Sequence, residues 1–138
     1  MHINEISGSV VDAAMKVHSA LGPGLLESVY EKYLKHELTK RGLQVETQVW
    51  LPVVYDGVQI EGGYKIDLLI EGQVVVELKV VEQMLEIHKA QFLSYLKLSD
   101  KHVGLLINFN VVHLRDGIRR LVNNLPLSAS SASAAVVV

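Results

Sequence analysis

The sequence predicts an α/β (α+β) domain in which helices pack on a mixed β-sheet. Two helical patterns come first, three strand patterns follow, and a third helix leads into an almost wholly apolar strand. The predicted order is therefore α-α-β-β-β-α-β plus a terminal element. The length of 138 residues suits one domain with a hydrophobic core, and 49% apolar with 20% charged residues is ordinary for a globular protein.

The first two predicted helices are separated by a glycine–proline break. Apolar residues recur at helical spacing between Ile3 and Leu21, and Gly22-Pro23-Gly24 then interrupts the chain. The second helical pattern runs to Arg41-Gly42, where a basic last turn is followed by a glycine that ends the helix.

The middle of the chain predicts a β-meander. Residues 44–55 are rich in β-forming side chains, and Asp56-Gly57 is a strong hairpin signal. Strands over 58–70 and 73–80 continue the meander on either side of Glu71-Gly72.

The last third of the chain returns to helix and then to strand. Residues 86–98 have a helical pattern, and 103–109 form a short apolar strand of the kind that is buried on both faces. Two alternatives are open for 110–123. The segment is either a strand followed by a turn at Asp116-Gly117 and then a short helix, or it is additional sheet. Residues 128–138 contain only Ser, Ala and Val and predict a disordered, low-complexity tail, which leaves 1–127 as the domain.

Composition narrows the class of protein. Cysteine is absent, which excludes a disulfide scaffold and thiolate metal sites and fits a reducing cytoplasm. No apolar run approaches the roughly 20 residues that span a bilayer, and the N-terminus lacks the features of a secretion signal. We therefore expect a cytoplasmic protein without a membrane partner. The net charge of −2 argues against a high-affinity non-specific DNA binder but not against an enzyme with an acidic centre.

The most informative stretch is the predicted hairpin from Asp67 to Lys79, where charged residues interrupt apolar strands. Glu77 and Lys79 point to the same face because strand side chains alternate. A two-residue turn at Glu71-Gly72 would send Asp67 and Glu77 to opposite faces, whereas a three-residue loop or a bulge would set them directly opposite each other. We therefore predict an odd loop or a bulge at this turn.

Such a constellation fits metal-assisted phosphodiester chemistry. Two carboxylates and a phosphate about 4 Å apart repel by roughly 4 kcal/mol per pair at a dielectric constant of 20, and Mg²⁺ or Mn²⁺ relieves that repulsion. Asp67 and Glu77 would hold the ion, and Lys79 would hold a water molecule or offset charge at phosphorus. The alternative is a Glu77–Lys79 pair on a solvated sheet face, with Asp67 at a strand end.

Two helical clusters add candidates. Gln91 and Tyr95 share a face and could present an amide and a phenol beside Lys79, or could simply be rim and core residues. Glu27 lies in the first turn of its helix, where the helix dipole alone explains an acid, and Tyr30 shares its face.

Gly24, Glu27 and Tyr30 form a Gly-x-x-Glu-x-x-Tyr signature that resembles the GxxExxY proteins of the PD-(D/E)XK nuclease-like superfamily. The resemblance covers roughly Ile6 to Pro126 and includes the Asp…Glu-x-Lys hairpin and the motif around Gln91 and Tyr95. It implies a restriction-endonuclease-like core, a metal-dependent nuclease activity and a nucleic-acid partner, with DNA favoured.

Site roles follow from the resemblance residue by residue. It implies a metal held by Glu27 or His18, Asp67, Glu77 and the backbone carbonyl of Leu78, and it makes Lys79 the catalytic lysine beside Asp67 and Glu77. Gln91, Tyr95 and Tyr30 become substrate-binding residues. For His18 a role as C-terminal cap of the first helix is the other possibility.

The leading prediction is thus a small Mg²⁺- or Mn²⁺-dependent nuclease that uses water to cleave phosphodiester bonds. One alternative is a nucleic-acid-binding or assembly module that keeps the nuclease-like fold with little catalysis of its own. Another is a structural homo-oligomer whose acids are solvated. A homo-oligomer that forms a substrate channel is also open, because the domain is small.

Overall fold

The structure is a computed structural model that describes residues 1–125, apart from the side chain of Glu61. The predicted tail at 128–138 lies outside the described residues. The three helices and five strands follow the predicted order, with the following bounds: α1 Ile3–Leu21, α2 Glu27–Lys40, β1 Val45–Tyr55, β2 Val58–Ile70, β3 Val74–Lys79, α3 Glu86–Leu98, β4 Val103–Asn108 and β5 Ile118–Val122.

The terminal element is a strand. Of the two alternatives for 110–123, additional sheet is correct, because β5 pairs antiparallel with β4 after a short 3₁₀ helix at Leu114–Gly117. No helix within 1–125 has the length and apolar character needed to cross a membrane.

The sheet is mixed, as predicted. Its strand order is β1-β2-β3-β4-β5, and only the β3–β4 pair is parallel. Parallel neighbours need a long crossover connection, and α3 provides it between β3 and β4. β3 and β4 are the most deeply buried strands, since helices cover both sheet faces.

Two apolar clusters hold the helices to the sheet. The larger one joins α1 and α2 to one face and includes Val10, Leu34, Leu68, Val76 and Leu105. The smaller one joins α3 to the other face through Phe92 and Leu96, which meet Leu69, Val75 and Leu106. The result is a sheet between helical layers, in agreement with the predicted fold class.

The turn between β2 and β3 has the predicted odd length. Ile70 pairs with Val74, so the loop contains the three residues Glu71, Gly72 and Gln73. Glu71 and Gly72 both have positive φ, at 53° and 66°, which glycine adopts at little cost. Strand pairing then ends after three residue pairs, at Leu68 and Val76.

Candidate active site

The site begins where β2 and β3 stop pairing. The register, continued by one step, sets Asp67 opposite Glu77, as the three-residue loop requires. The backbone ladder does not continue there. Instead, the amide of Leu78 donates a hydrogen bond to Oδ2 of Asp67 at 2.8 Å. The Asp67 carboxylate therefore lies in the gap between the two strands, next to the backbone of Glu77 and Leu78.

The same hydrogen bond determines where the Leu78 carbonyl faces. The N–H and C=O of an extended residue lie on the same edge of its strand, whereas those of its neighbours lie on the other edge. Because the Leu78 amide faces Asp67, its carbonyl faces the same gap, away from β4. The carbonyl of Lys79 faces β4 and accepts a hydrogen bond from the amide of Phe109 at 3.0 Å.

Gln48 supports Asp67 from β1. Its Nε2 donates to Oδ1 of Asp67 at 3.3 Å and to Oε1 of Glu31 at 2.6 Å. Gln48 has a φ of 52°, an uncommon conformation for a residue within a strand. This local distortion lets a side chain of β1 reach a carboxylate of β2 and an acid of α2 together.

Tyr64 contacts Glu77 from β2. Its hydroxyl donates a hydrogen bond to Oε2 of Glu77, and its ring stacks on that of Tyr95 with 3.4 Å between centroids and 5° between planes. Tyr95 belongs to α3, so this helix reaches the site through the tyrosine pair. The aromatic contact thus links the helix to the Glu77 carboxylate.

A double glycine directs the Tyr64 side chain. Gly62 and Gly63 have φ values of 88° and 56°, in the left-handed region where side chains are strained. A Cβ at Gly63 would collide with the carbonyl oxygen of Leu51 on β1. The β1–β2 register shifts at this point, between Leu51 and Val53. Only a glycine at position 63, directly before Tyr64, allows this close approach.

Charge accumulates around the gap. Burial raises the pKa of Glu77 to about 7, with the charge of Glu27 adding to the shift and Lys79 opposing it. Partial burial and the charge of Asp67 likewise raise the pKa of Glu27, again with Lys79 in opposition. Glu27, Asp67, Glu77 and Lys79 are therefore within electrostatic range of one another.

Lys79 is the cation of this group. Its side chain is half-buried on β3, two residues after Glu77 and on the same face. Within 1–125, Lys79 has no hydrogen bond or ion pair through Nζ, so the ammonium is not committed to a structural partner.

Two other predicted site residues, Gln91 and His18, lie in different environments. Gln91 is exposed on α3, one turn before Tyr95, on the side of the helix that reaches Tyr64. His18 is buried, and its Nε2 donates to the carbonyl of Val111 at 2.8 Å. The structure thus places Glu27, not His18, within electrostatic range of the carboxylates, and the His18 side chain does not cap α1.

The prediction that Tyr30 contacts the substrate is wrong, because Tyr30 has no exposed surface. Its ring stacks on Phe109 with 4.4 Å between centroids. Its hydroxyl donates to the Gly22 carbonyl at 2.6 Å and accepts from the Leu25 amide at 3.1 Å. Tyr30 therefore fastens the loop that precedes Glu27, and its helical spacing from Glu27 serves packing.

Sequence reasoning missed Tyr64 and Gln48. Both lie on strands that precede the Asp…Glu-x-Lys motif, and neither carries a charge that would draw attention. The Gly62-Gly63 pair before Tyr64 was the available signal, since paired glycines within a strand indicate close backbone approach.

The donor set fits a hard divalent cation. Carboxylates of Asp67 and Glu77 and the Leu78 carbonyl are oxygen donors of the kind that Mg²⁺ and Mn²⁺ prefer. After burial, repulsion from Asp67 contributes to the raised pKa of Glu27, and repulsion from Glu27 contributes to the raised pKa of Glu77; a cation would relieve both. Across the described chain, no three His, Asp or Glu side chains are grouped closely enough to hold a metal ion. That arrangement suits an ion bound by one or two carboxylates and completed by water and substrate phosphate.

Comparison with known proteins gives one match. The sequence model of the PD-(D/E)XK nuclease superfamily matches residues 4–121, a range that contains every side chain of the site. No curated protein matches the chain, and no solved structure matches it. The finer assignment to the GxxExxY proteins stays a prediction.

Proposed function

The chain belongs to the PD-(D/E)XK nuclease superfamily, and on that premise we propose that it is a metal-dependent nuclease that hydrolyses phosphodiester bonds, with DNA as the favoured substrate. The observation that carries the proposal is the convergence of Asp67, Glu77 and Lys79 at the gap between β2 and β3. A solvated Glu77–Lys79 pair would not need the half-buried position of Glu77.

The chain supplies most of the chemical environment. Asp67 and Glu77, with the Leu78 carbonyl and Glu27 beside them, would hold Mg²⁺ or Mn²⁺. The ion, when bound, would polarise the phosphate and lower the pKa of a water molecule. Hydrolysis forms a bond from the water oxygen to phosphorus and breaks the bond from phosphorus to the leaving oxygen, and the proton that the water loses is balanced by the proton that the leaving oxygen gains.

Individual side chains have separate tasks in this proposal. The ammonium of Lys79 would hold the attacking water or offset the negative charge that develops at phosphorus. Tyr64 would orient Glu77 through its hydrogen bond, and Gln48 would orient Asp67. Gln91 and Tyr95, at the α3 side of the site, would contact the substrate.

Calorimetric titration of Mn²⁺ tests the metal site. We expect the wild type to bind Mn²⁺ and Glu77→Ala to lose that binding, because one of the two principal carboxylates is removed. Glu46→Ala is the matched control, since Glu46 is an exposed acid on β1 outside the site. Absence of binding by the wild type would contradict the proposal.

A cleavage assay tests catalysis. The assay uses Mg²⁺ or Mn²⁺ with single-stranded and double-stranded DNA. We expect Lys79→Met to lower the cleavage rate by about 100-fold or more, because a positive charge that stabilises the transition state is lost. Lys97→Met, a change at an exposed lysine on α3, should leave the rate unchanged. RNA in parallel reactions identifies the substrate class.

A binding or assembly module is the second candidate function. The net charge of −2 favours it. The two assays separate the candidates: Mn²⁺ binding without cleavage of any nucleic acid would support the module, and cleavage lost in both site variants would support the nuclease.

A further inference from the structure

A cavity of about 490 Å³ lies between the C-terminal end of α1 and the 3₁₀ helix Leu114–Gly117. We call it the basic cavity. Its polar lining consists of three nitrogen-bearing side chains and one hydroxyl: His18, His113, Arg115 and Ser19. None of the described residues that line it is an Asp or Glu, although the whole chain has a net charge of −2. A concave site lined by one sign of charge attracts ligands of the opposite sign.

Arg115 is the strongest cation of the basic cavity. Among residues 1–125 it is the one arginine whose side chain has no hydrogen bond or ion pair. The other three arginines contact a carboxylate, a backbone carbonyl or a side-chain amide: Arg41, Arg119 and Arg120. The planar guanidinium matches phosphate with two parallel hydrogen bonds, so Arg115 is available for an anionic ligand.

His18 offers a second nitrogen to the basic cavity. Its Nε2 donates to the carbonyl of Val111, so Nδ1 is the ring nitrogen left for a ligand. His18 is 7% exposed, and within 1–125 every fully buried polar side-chain atom has a hydrogen-bond partner. Nδ1 has none among the described residues and is therefore accessible, and the basic cavity is the open space that His18 lines. In its charged form the ring donates from Nδ1 to an anion.

The size of the basic cavity favours a phosphate that belongs to a larger molecule. Its volume is in the range of pockets that bind whole small molecules rather than single ions. Met15, Pro23 and Val112 supply apolar walls beside the basic groups. A nucleotide unit has the matching character, because it joins an anionic phosphate to a less polar sugar and base.

The C-terminal end of α1 opposes an anion only weakly. The end of a helix carries about half a negative charge, and here the His18 carbonyl is already satisfied by the Gly22 amide at 2.7 Å. Arg115 carries a full positive charge at any ordinary pH. The balance in the basic cavity therefore favours a negatively charged ligand.

One loop connects the basic cavity to the catalytic group. Gly22 and Pro23 line the cavity, and the Tyr30 hydroxyl holds the loop through the Gly22 carbonyl and the Leu25 amide. Glu27 follows Gly22 by five residues, so their Cα atoms are at most roughly 18 Å apart. One strand of a duplex carries a phosphate about every 3.4 Å along the axis, so this distance corresponds to about five nucleotides.

We propose that the basic cavity binds a phosphate group of the nucleic-acid substrate, a few nucleotides away from the bond that is cleaved. Arg115 is the principal contact, and Nδ1 of His18, the His113 ring and the Ser19 hydroxyl complete the site. The identity of the ligand rests on the proposed nuclease function. None of these four residues belongs to the group around Asp67 and Glu77.

Fluorescence anisotropy of a labelled DNA oligonucleotide in EDTA, where the metal is withheld, tests the contact. We expect Arg115→Gln to raise the dissociation constant by about 10-fold, as loss of a charge-assisted hydrogen bond does. The slope of log affinity against log salt concentration should fall by about 1, because one phosphate contact is lost. Arg41→Gln removes the same charge outside the basic cavity and should match the wild type in affinity and slope.

A charge introduced into the lining is the second test. Ser19 is exposed, so Ser19→Glu places a carboxylate in the basic cavity without disturbing the core, and we expect at least about 10-fold weaker DNA binding. Ala20→Glu adds the same charge at the next residue, which is exposed and lies outside the basic cavity, and it should bind like the wild type. Equal urea midpoints would show that both variants are folded.

Nitrogen NMR of the His18 ring identifies the ligand chemistry. We expect both inorganic phosphate and the DNA oligonucleotide to shift the Nδ1 resonance, and phosphate to compete with DNA. A shift with phosphate but none with DNA would overturn the proposal in favour of a small free anion. A shift with a poly-glutamate peptide but none with DNA would overturn it in favour of an acidic protein partner.

The outcomes also separate this proposal from the proposed function. Cleavage of DNA together with unchanged affinity and salt slope in Arg115→Gln would overturn the phosphate contact and leave the nuclease intact. DNA binding that depends on Arg115 without any cleavage would support the basic cavity and contradict the nuclease. A wild type that binds neither DNA nor RNA would overturn the role of the basic cavity.

Discussion

At the scale of single residues, Glu77 decides the chemistry of the site. It combines burial, a hydrogen bond from Tyr64, and the opposing charges of Glu27 and Lys79. A buried carboxylate with a raised pKa is costly to ionise without a cation. The free energy of folding and the affinity for a metal ion should therefore both respond to changes at this residue.

Glu77→Gln should stabilise the metal-free protein at alkaline pH. The pKa of Glu77 is about 7 in the folded protein, above the ordinary value of 4.5, so the folded state holds the proton more tightly. Stability from this group is fully present below pH 4.5 and is lost as pH rises through 7, by up to about 3 kcal/mol. We expect urea unfolding in EDTA to show a gain for Glu77→Gln at pH 8 but little change at pH 4.5.

Glu46→Gln is the control for this pH series, because Glu46 is exposed on β1. A gain at pH 8 of the same size in both variants would mean that the burial of Glu77 is not the cause.

Tyr64→Phe should weaken Mn²⁺ binding while the ring stack on Tyr95 is retained. Removal of a hydrogen-bonding partner of a metal ligand commonly lowers affinity by about 10–100-fold. Calorimetry measures the effect, and Tyr33→Phe, at an exposed tyrosine of α2, is the control. Unchanged Mn²⁺ affinity in Tyr64→Phe would remove Tyr64 from the site.

At the scale of elements, strand geometry brings the functional groups together. The three-residue loop after Ile70 sets the register that places Asp67 opposite Glu77. The Gly62-Gly63 irregularity earlier in β2 precedes the tyrosine that contacts Glu77. β2 therefore contributes two site residues, Tyr64 and Asp67, and each lies next to a separate irregularity in strand pairing.

Gly63→Ala should be far more harmful than Gly62→Ala. Both residues have positive φ, so both alanines carry backbone strain, but only the methyl group at 63 would collide with the Leu51 carbonyl. We expect Gly63→Ala to lower the free energy of unfolding by about 2 kcal/mol more than Gly62→Ala, as measured in urea. Equal losses would show that the close approach is not tight.

At the scale of the whole molecule, the helical layers bring distant parts of the chain to one gap. α2 carries Glu27 on the face where α1 and α2 pack, and α3 brings Tyr95 to Tyr64. The site therefore exists only in the folded domain, and a ligand of the site should stabilise the fold as a unit.

Mn²⁺ should raise the free energy of unfolding at pH 8. A ligand that binds only the folded state at 100 times its dissociation constant contributes about 3 kcal/mol. We expect this gain in urea unfolding of the wild type and none in Glu77→Ala. A gain of equal size in the variant would place the ion elsewhere.

Much of the fold follows from local sequence. Helical spacing over Ile3–Leu21, the Asp56-Gly57 turn and the apolar run at 103–109 each predict an element that the structure contains. These signals are short-range, since hydrophobic periodicity and turn chemistry depend on neighbouring residues. The secondary structure of residues 110–123 was not decided from sequence, because this short segment supports both turn and strand patterns.

The sequence by itself determined the order of elements, the odd loop after Ile70 and the carboxylates of the motif. Only the tertiary structure decided that Glu27 and not His18 lies within electrostatic range of those carboxylates, that Tyr30 is buried, and that Tyr64 and Gln48 support the site. The physical reason is that spacing along one element reveals which side chains share a face. Which faces meet across strands and layers depends on packing between segments that lie far apart in the chain.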